Sequence, residues 1–178
     1  DNLDASELSK SFYLEMEAGA IPHTSLPNPG LFLEKATEEV KRGNKVICIT
    51  LSSGVSGTYQ SDFLIAQQIN EEMKEEVVKV IDSKTAGFGE GMIAIFADRL
   101  VKEGLSFEEI IAKTEGYLST VRSEFTVNSI KYLANTGRIS NFKATIADVL
   151  NIKPLLYGSN EGKIVPFANV RGRKNALK

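Results

Sequence analysis

Residues 45–70 run from a short apolar stretch through a glycine-rich turn into an amphipathic segment, and this succession constrains the fold more tightly than any other part of the chain. Residues 45–51 hold Val46, Ile47, Cys48 and Ile49, which suits a strand covered on both faces within a parallel sheet. The turn reads Leu51-Ser52-Ser53-Gly54-Val55-Ser56-Gly57-Thr58. Tyr59, Phe63, Ala66 and Ile69 then recur at three- and four-residue steps, so a helix is predicted to open near Ser56 and to run to Met73. Ser56 is therefore expected near its N-cap. A helix start leaves about four backbone N–H groups without internal partners and carries roughly half a positive charge. A carboxylate or phosphate is stabilised there without a dedicated cation, and Gly57 permits close approach of the backbone. The plainer reading is that Ser56 caps its own helix, a contribution of about 1 kcal/mol.

The rest of the chain alternates in the same way. Helices are predicted over 4–18, with Phe12, Leu14 and Met16 set among charges, and over 29–42, closed by Gly43-Asn44. A strand follows at 77–81, ending at Asp82-Ser83. Met92, Phe96 and Leu100 and the parallel set Ile93, Ala97 and Val101 give a helix that stops at Gly104. Phe107, Ile110, Ile111, Thr114, Leu118 and Val121 form an amphipathic helix with Ser106 and Glu109 spaced as a capping box. A strand at 125–129, a short helix at 130–134 and a helix at 140–150 come next, followed by two runs at 153–157 and 163–169 that read as an antiparallel hairpin around 158–162. The fold class is thus α/β. A parallel-sheet, Rossmann-like first lobe is expected over 1–122, and the beginning of a second α/β lobe containing the hairpin over 123–178.

Composition mainly excludes. At 178 residues, 42% hydrophobic and 25% charged, there is enough material for a core. A net charge of −2 and a pI near 5.6 argue against a general nucleic-acid binder. The basic residues Arg171, Arg173, Lys174 and Lys178 read as a solvated helix face. One cysteine rules out an internal disulfide, and one histidine with one cysteine cannot assemble an ordinary zinc site, so no metal is expected. Cys48 reads as a reduced core thiol, in keeping with a cytoplasmic address. No run approaches the ~20 apolar residues of a membrane span. The start lacks a methionine and a charged-then-apolar segment, so neither a signal peptide nor stable membrane insertion is expected.

Four other segments carry polar groups of interest. His23-Thr24-Ser25-Leu26-Pro27 supplies two hydroxyls before a proline that holds Leu26 extended; alternatively it is a turn feeding a helix capped by Asn28 with Pro29 at its first position. Asp82-Ser83 either borders the anion site or is a strand-end turn in which Asp82 bonds local backbone. Gly87-Phe88-Gly89-Glu90-Gly91 has its third glycine too early for a dinucleotide fingerprint and reads as a flexible lead-in to a helix. Arg138, after Gly137, presents a planar fork suited to a carboxylate or acyl phosphate, or is an exposed arginine at a helix boundary.

Thr24-Ser25-Leu26-Pro27, then Ser53-Gly54-Val55-Ser56-Gly57-Thr58-Tyr59-Gln60-Ser61, then Ile81-Asp82-Ser83, then Gly137-Arg138-Ile139-Ser140 follow the order and approximate spacing of the DegV family. The chain resembles the bacterial fatty-acid-binding proteins of that family, the lipid-carrying subunits of fatty acid kinase, over nearly its whole length. The resemblance implies that Thr24 and Ser56 bind an acyl carboxylate, with Ser25, Gly57, Thr58 and Arg138 around it. It further implies a long-chain fatty acid in an apolar tunnel, to which Phe63, Ile95, Phe96 and the second lobe are expected to contribute. A kinase partner would then phosphorylate the carboxylate, with no cofactor held by the chain itself. Against the family's pattern, a first strand ending in Asp-Ser and the rest of a second domain are expected beyond the two ends. Thr136-Gly137-Arg138 stands where the family tends to carry Gly-Gly-Arg, and a later histidine enclosing the head group has no counterpart.

The rival function is a serine hydrolase. Gly54-Val55-Ser56-Gly57-Thr58 nearly spells the nucleophile elbow in the right strand-to-helix context. Its last glycine is threonine, however, and His23 precedes the serine instead of following an acid. The favoured expectation is a carrier with no catalytic residue.

Overall fold

The structure, a computed structural model, describes residues 5–139 and 151–178. In chain order these form α1 (Ala5–Glu17), α2 (Pro29–Lys41), β1 (Val46–Thr50), α3 (Thr58–Met73), β2 (Val78–Asp82), α4 (Phe88–Lys102) and α5 (Phe107–Leu118). Then come β3 (Glu124–Thr126), α6 (Lys131–Asn135), β4 (Ile152–Gly158), β5 (Ile164–Arg171) and α7 (Arg173–Ala176). The helix expected at 140–150 lies outside the described residues.

β1 and β2 pair in parallel, from Val46 opposite Val78 to Thr50 opposite Asp82. Alternate residues of β1 enter different cores. Val46 and Cys48 pack with Ala36 and Val40 of α2 and Ala66 and Ile69 of α3, while Ile47 and Ile49 pack with Ala97 and Leu100 of α4 and Ile110 of α5. The continuous apolar run of β1 thus meets helices on both sides, the arrangement that parallel strands require. Asn70 fastens α3 to β2, since its Oδ1 accepts the Val77 and Val78 amides at 2.9 Å each and its Nδ2 donates to the Val78 carbonyl at 2.8 Å.

The second sheet is antiparallel, in the order β3-β4-β5, with a register shift between Leu155 and Leu156. Its core gathers Ile130, Ile139 and Leu156, with Val127, Leu133 and Ile164 packed around them. Mixed α/β architecture, a parallel pair and an antiparallel hairpin agree with the expected fold class.

Two of the boundaries that differ have a plain local cause. α3 begins at Thr58 with Gly57 as N-cap, so Ser56 stands one residue outside the cap. The cause is local: the Ser56 amide donates to the Ser52 carbonyl at 3.0 Å, closing a turn that ends before the helix starts. β3 lies earlier than the predicted 125–129, because Ser129 Oγ instead accepts the Lys131 amide at the start of α6 at 3.2 Å.

Candidate functional site

The glycine-rich turn lies where β1 ends, beside the loop that follows β2, at the carboxyl end of both parallel strands. Asp82, the last residue of β2, stitches the two loops together. Its Oδ1 accepts the Ser53 amide at 3.0 Å and the Lys84 amide at 3.1 Å. Its Oδ2 lies 2.7 Å from Lys84 Nζ, an ionic contact outside hydrogen-bonding geometry. Burial pushes the Asp82 carboxyl up, yet the hydrogen bonds from Lys84 and Ser53 outweigh it and hold the carboxyl below its ordinary value. The strand-end reading of Asp82 is therefore the one the geometry supports.

Ser56 is half-buried. Its Oγ lies 2.8 Å from Thr58 Oγ1 and accepts the Thr58 amide at 3.3 Å, so both hydroxyls stand at the start of α3. Gly57 is exposed, and Leu26 lies over it: a Cβ at Gly57 would rest 3.6 Å from both Leu26 methyl carbons. Leu26 thereby carries the 23–27 loop onto the α3 start. The Thr24 and Ser25 hydroxyls in that loop are exposed and have no hydrogen-bond partner among the described residues. Asn28 caps α2 as expected, its Oδ1 accepting the Gly30 amide at 2.9 Å.

Arg138 arrives from the other part of the chain. Gly137, with φ +70°, closes α6 in the left-handed conformation that favours glycine. Past that bend Arg138 Nε donates to the Val55 carbonyl at 3.2 Å, and Nη1 donates to Thr136 O at 2.8 Å. Its Nη2 is unengaged among the described residues. Ser56, Gly57, Thr58 and Arg138 thus meet at one turn, where Leu26 of the 23–27 loop also packs.

An apolar cavity of about 420 Å³ adjoins this turn. Ser52 and Val55 form part of its wall, with Phe88 and Met92 from α4 and Phe125 and Ile164 from the antiparallel sheet. None of Phe63, Ile95 and Phe96 lines it. Phe96 stacks on Tyr117 with centroids 4.2 Å apart, Ile95 is exposed, and Phe63 lies beside Tyr59 along an open groove at β2. α4 begins at Phe88 behind Gly87, which has φ +56°, so Gly89 and Gly91, expected in a flexible lead-in, lie within the helix itself.

The sequence reading missed Ser52. Its Oγ donates to the Gly162 carbonyl at 2.7 Å, in the turn between β4 and β5. Nearby, Thr85 and Ser123 share a short hydroxyl pair, and the Gly158 amide donates to Ser123 O at 3.0 Å. Cys48, half-buried in β1, has its thiol pushed up to about 11 by burial and then by Asp62 and Glu90, and so stays protonated near neutral pH. Among the described residues no cluster of three metal-binding side chains forms, and no helix is long and apolar enough to cross a membrane.

A family model described as uncharacterised proteins of the DegV family matches residues 2–178. The chain belongs to the DegV family. It is 35% identical over 178 residues to a DegV domain-containing protein of Clostridium perfringens, covering all of this chain and 61% of that one. A DegV protein of Ruminococcus gnavus, solved with vaccenic acid, superposes with a TM-score of 0.83 at 30% identity over 99% of this chain and 61% of its own. The Fak B3 protein of the Streptococcus pneumoniae fatty acid kinase, loaded with linoleic acid, shares the fold with a TM-score of 0.83 at 22% identity, over 99% and 60%. Solved DegV structures therefore bind fatty acids. The chain spans about three fifths of the length of these relatives.

Proposed function

We propose that this DegV-family chain is a cytoplasmic fatty-acid carrier. The Ser56 and Thr24 hydroxyls hold the carboxylate of a long-chain acid at the start of α3, with Ser25, Gly57, Thr58 and Arg138 around it. A kinase partner takes that carboxylate to the acyl phosphate. The division of labour follows a boundary near Arg122: residues 1–122 supply the head-group loops, and residues 123–178 supply Arg138 and part of the tail's cover.

The observation that carries this reading is the apolar cavity of about 420 Å³ set against the turn that bears Ser56. Its volume falls in the range of roughly 300–1,000 Å³ usual for small-molecule sites. A polar rim beside an apolar hollow fits an amphiphile with one acidic end. Most of the affinity then comes from the tail, at about 0.8 kcal/mol per buried methylene, while the hydroxyls and helix start set orientation. Arg138 adds an unengaged Nη2 on the Val55 side. Among the described residues no group positioned as a general base touches Ser56 Oγ, which is bonded to Thr58, so the geometry does not favour the hydrolase alternative.

The test is a titration with palmitate. Ser56→Ala with Thr24→Val is expected to weaken binding by about ten- to a hundredfold, as for loss of one or two hydrogen bonds to a charged group, while the circular dichroism spectrum is kept. Unchanged affinity overturns the assigned head-group site. Turnover of a chromogenic ester that disappears in Ser56→Ala and in His23→Ala would instead establish the hydrolase.

A further inference from the structure

We infer that Ser52 is the positioning residue of the head-group site, clasping the β4–β5 turn to the glycine-rich turn and thereby setting where Ser56 stands; this deepens the fatty-acid reading and rests on it. Ser52 is 1% exposed, and each of its polar groups is engaged. Its amide donates to Thr85 O at 2.9 Å, in the loop after β2. Its carbonyl accepts the Val55 amide at 3.1 Å and the Ser56 amide at 3.0 Å. Its Oγ accepts the Gly54 amide at 3.1 Å and donates to Gly162 O at 2.7 Å. The residue that holds the Ser56 backbone is therefore the one that grips the hairpin 110 residues further on.

The two turns meet nearly backbone to backbone. A Cβ at Gly54 would collide with the Gly162 carbonyl, and a Cβ at Gly162 would collide with Ser52 Oγ. Gly162 also has φ +73°, a conformation that suits glycine. In so close a contact a small side chain that donates and accepts at once satisfies both turns. Alanine at 52 would leave a carbonyl on one side and an amide on the other without their partner. Arg138 holds the same turn through the Val55 carbonyl, so the clasp has two points. Ser52, Val55 and Gly162 also line the apolar cavity, which means that the clasp sets the offset between head-group hydroxyls and tail space.

A residue acting through Ser56 leaves a signature that a general stabiliser does not. In the full chain, palmitate and hexadecanol, which has the tail but no carboxylate, are each titrated against a displaced fluorescent polyene fatty acid. Ser52→Ala and, independently, Gly162→Ala are expected to weaken palmitate about tenfold, as for a lost hydrogen bond with its misplaced neighbour, and hexadecanol by less than about twofold. On a Ser56→Ala background each should cost palmitate less than about twofold more, because coupled residues are not additive. Losses that multiply in full, or that fall equally on hexadecanol, overturn the inference while wild-type binding keeps the fatty-acid reading standing. A wild type that binds neither ligand overturns both. Ser52→Thr, which keeps the hydroxyl, is expected to retain palmitate affinity above that of Ser52→Ala; a threonine variant that folds and binds no better than alanine also counts against the clasp.

Discussion

Asp82 shows how one side chain can order two loops at once. Its carboxylate ties the end of β2 to Ser53 of the glycine-rich turn and to its own loop at Lys84, and its side chain is only 9% exposed. Because its folded value lies below the ordinary 3.8, Asp82 contributes stability that is fully present above 3.8 and is lost as pH falls through the folded value. Asp82→Asn is expected to lower stability at pH 7 by about 1–3 kcal/mol, the cost of weakened charge-assisted hydrogen bonds. That gap should shrink steadily below pH 3.8 in urea denaturation of the two proteins side by side; a gap independent of pH would mean that the charge is idle. At this scale the sequence offered two readings of Asp82, a border of the anion site or a strand-end turn, and its bonds to nearby loops are those of the second. About Ser52 it was silent, since the group that Ser52 Oγ grips lies 110 residues away and no local pattern announces a partner at that distance.

Elements were readable wherever local chemistry alone decides them. α5 begins after Ser106 with both halves of the capping box present: Ser106 Oγ accepts the Glu109 amide at 3.3 Å, and Glu109 Oε2 accepts the Ser106 amide at 2.9 Å. Ser106→Ala is expected to cost about 1 kcal/mol in chemical denaturation, the usual value of an N-cap, without changing palmitate affinity. A loss well beyond about 2 kcal/mol would mean that the cap also serves a tertiary contact. β1 was equally plain, because its unbroken apolar run has helices on both faces. α3 was misplaced at its start for an instructive reason. A serine three residues before a helical stripe looks like a cap, but the Ser52 carbonyl captures the Ser56 amide first and Gly57 takes the cap position. Ser56 still satisfies a donor at the helix start, the Thr58 amide, so the chemistry survived the shift in boundary.

At the scale of the whole molecule, the hollow beside the glycine-rich turn is walled from both the parallel-strand part and the antiparallel sheet. Sequence patterning identified both sheets and the residues of the glycine-rich turn, but the cavity wall escaped it: Phe63 and Phe96 carry the right chemistry and face other neighbours, whereas Phe88 and Met92 of α4, Phe125 of β3 and Ile164 of β5 converge from three elements. Burial of a tail between them has a quantitative signature. Each methylene withdrawn from water contributes about 0.8 kcal/mol, so lengthening a saturated acid by two carbons should tighten binding by roughly fifteenfold while the cavity still has room. Through linkage the same series should raise the melting temperature, since a ligand at a hundred times its dissociation constant adds about 2.7 kcal/mol to the folded state. A titration from ten to eighteen carbons is expected to climb at this slope and then level off where the apolar space is filled. An affinity that does not depend on length would place the tail in solvent, and the 420 Å³ hollow beside Val55 would then have no part in holding lipid.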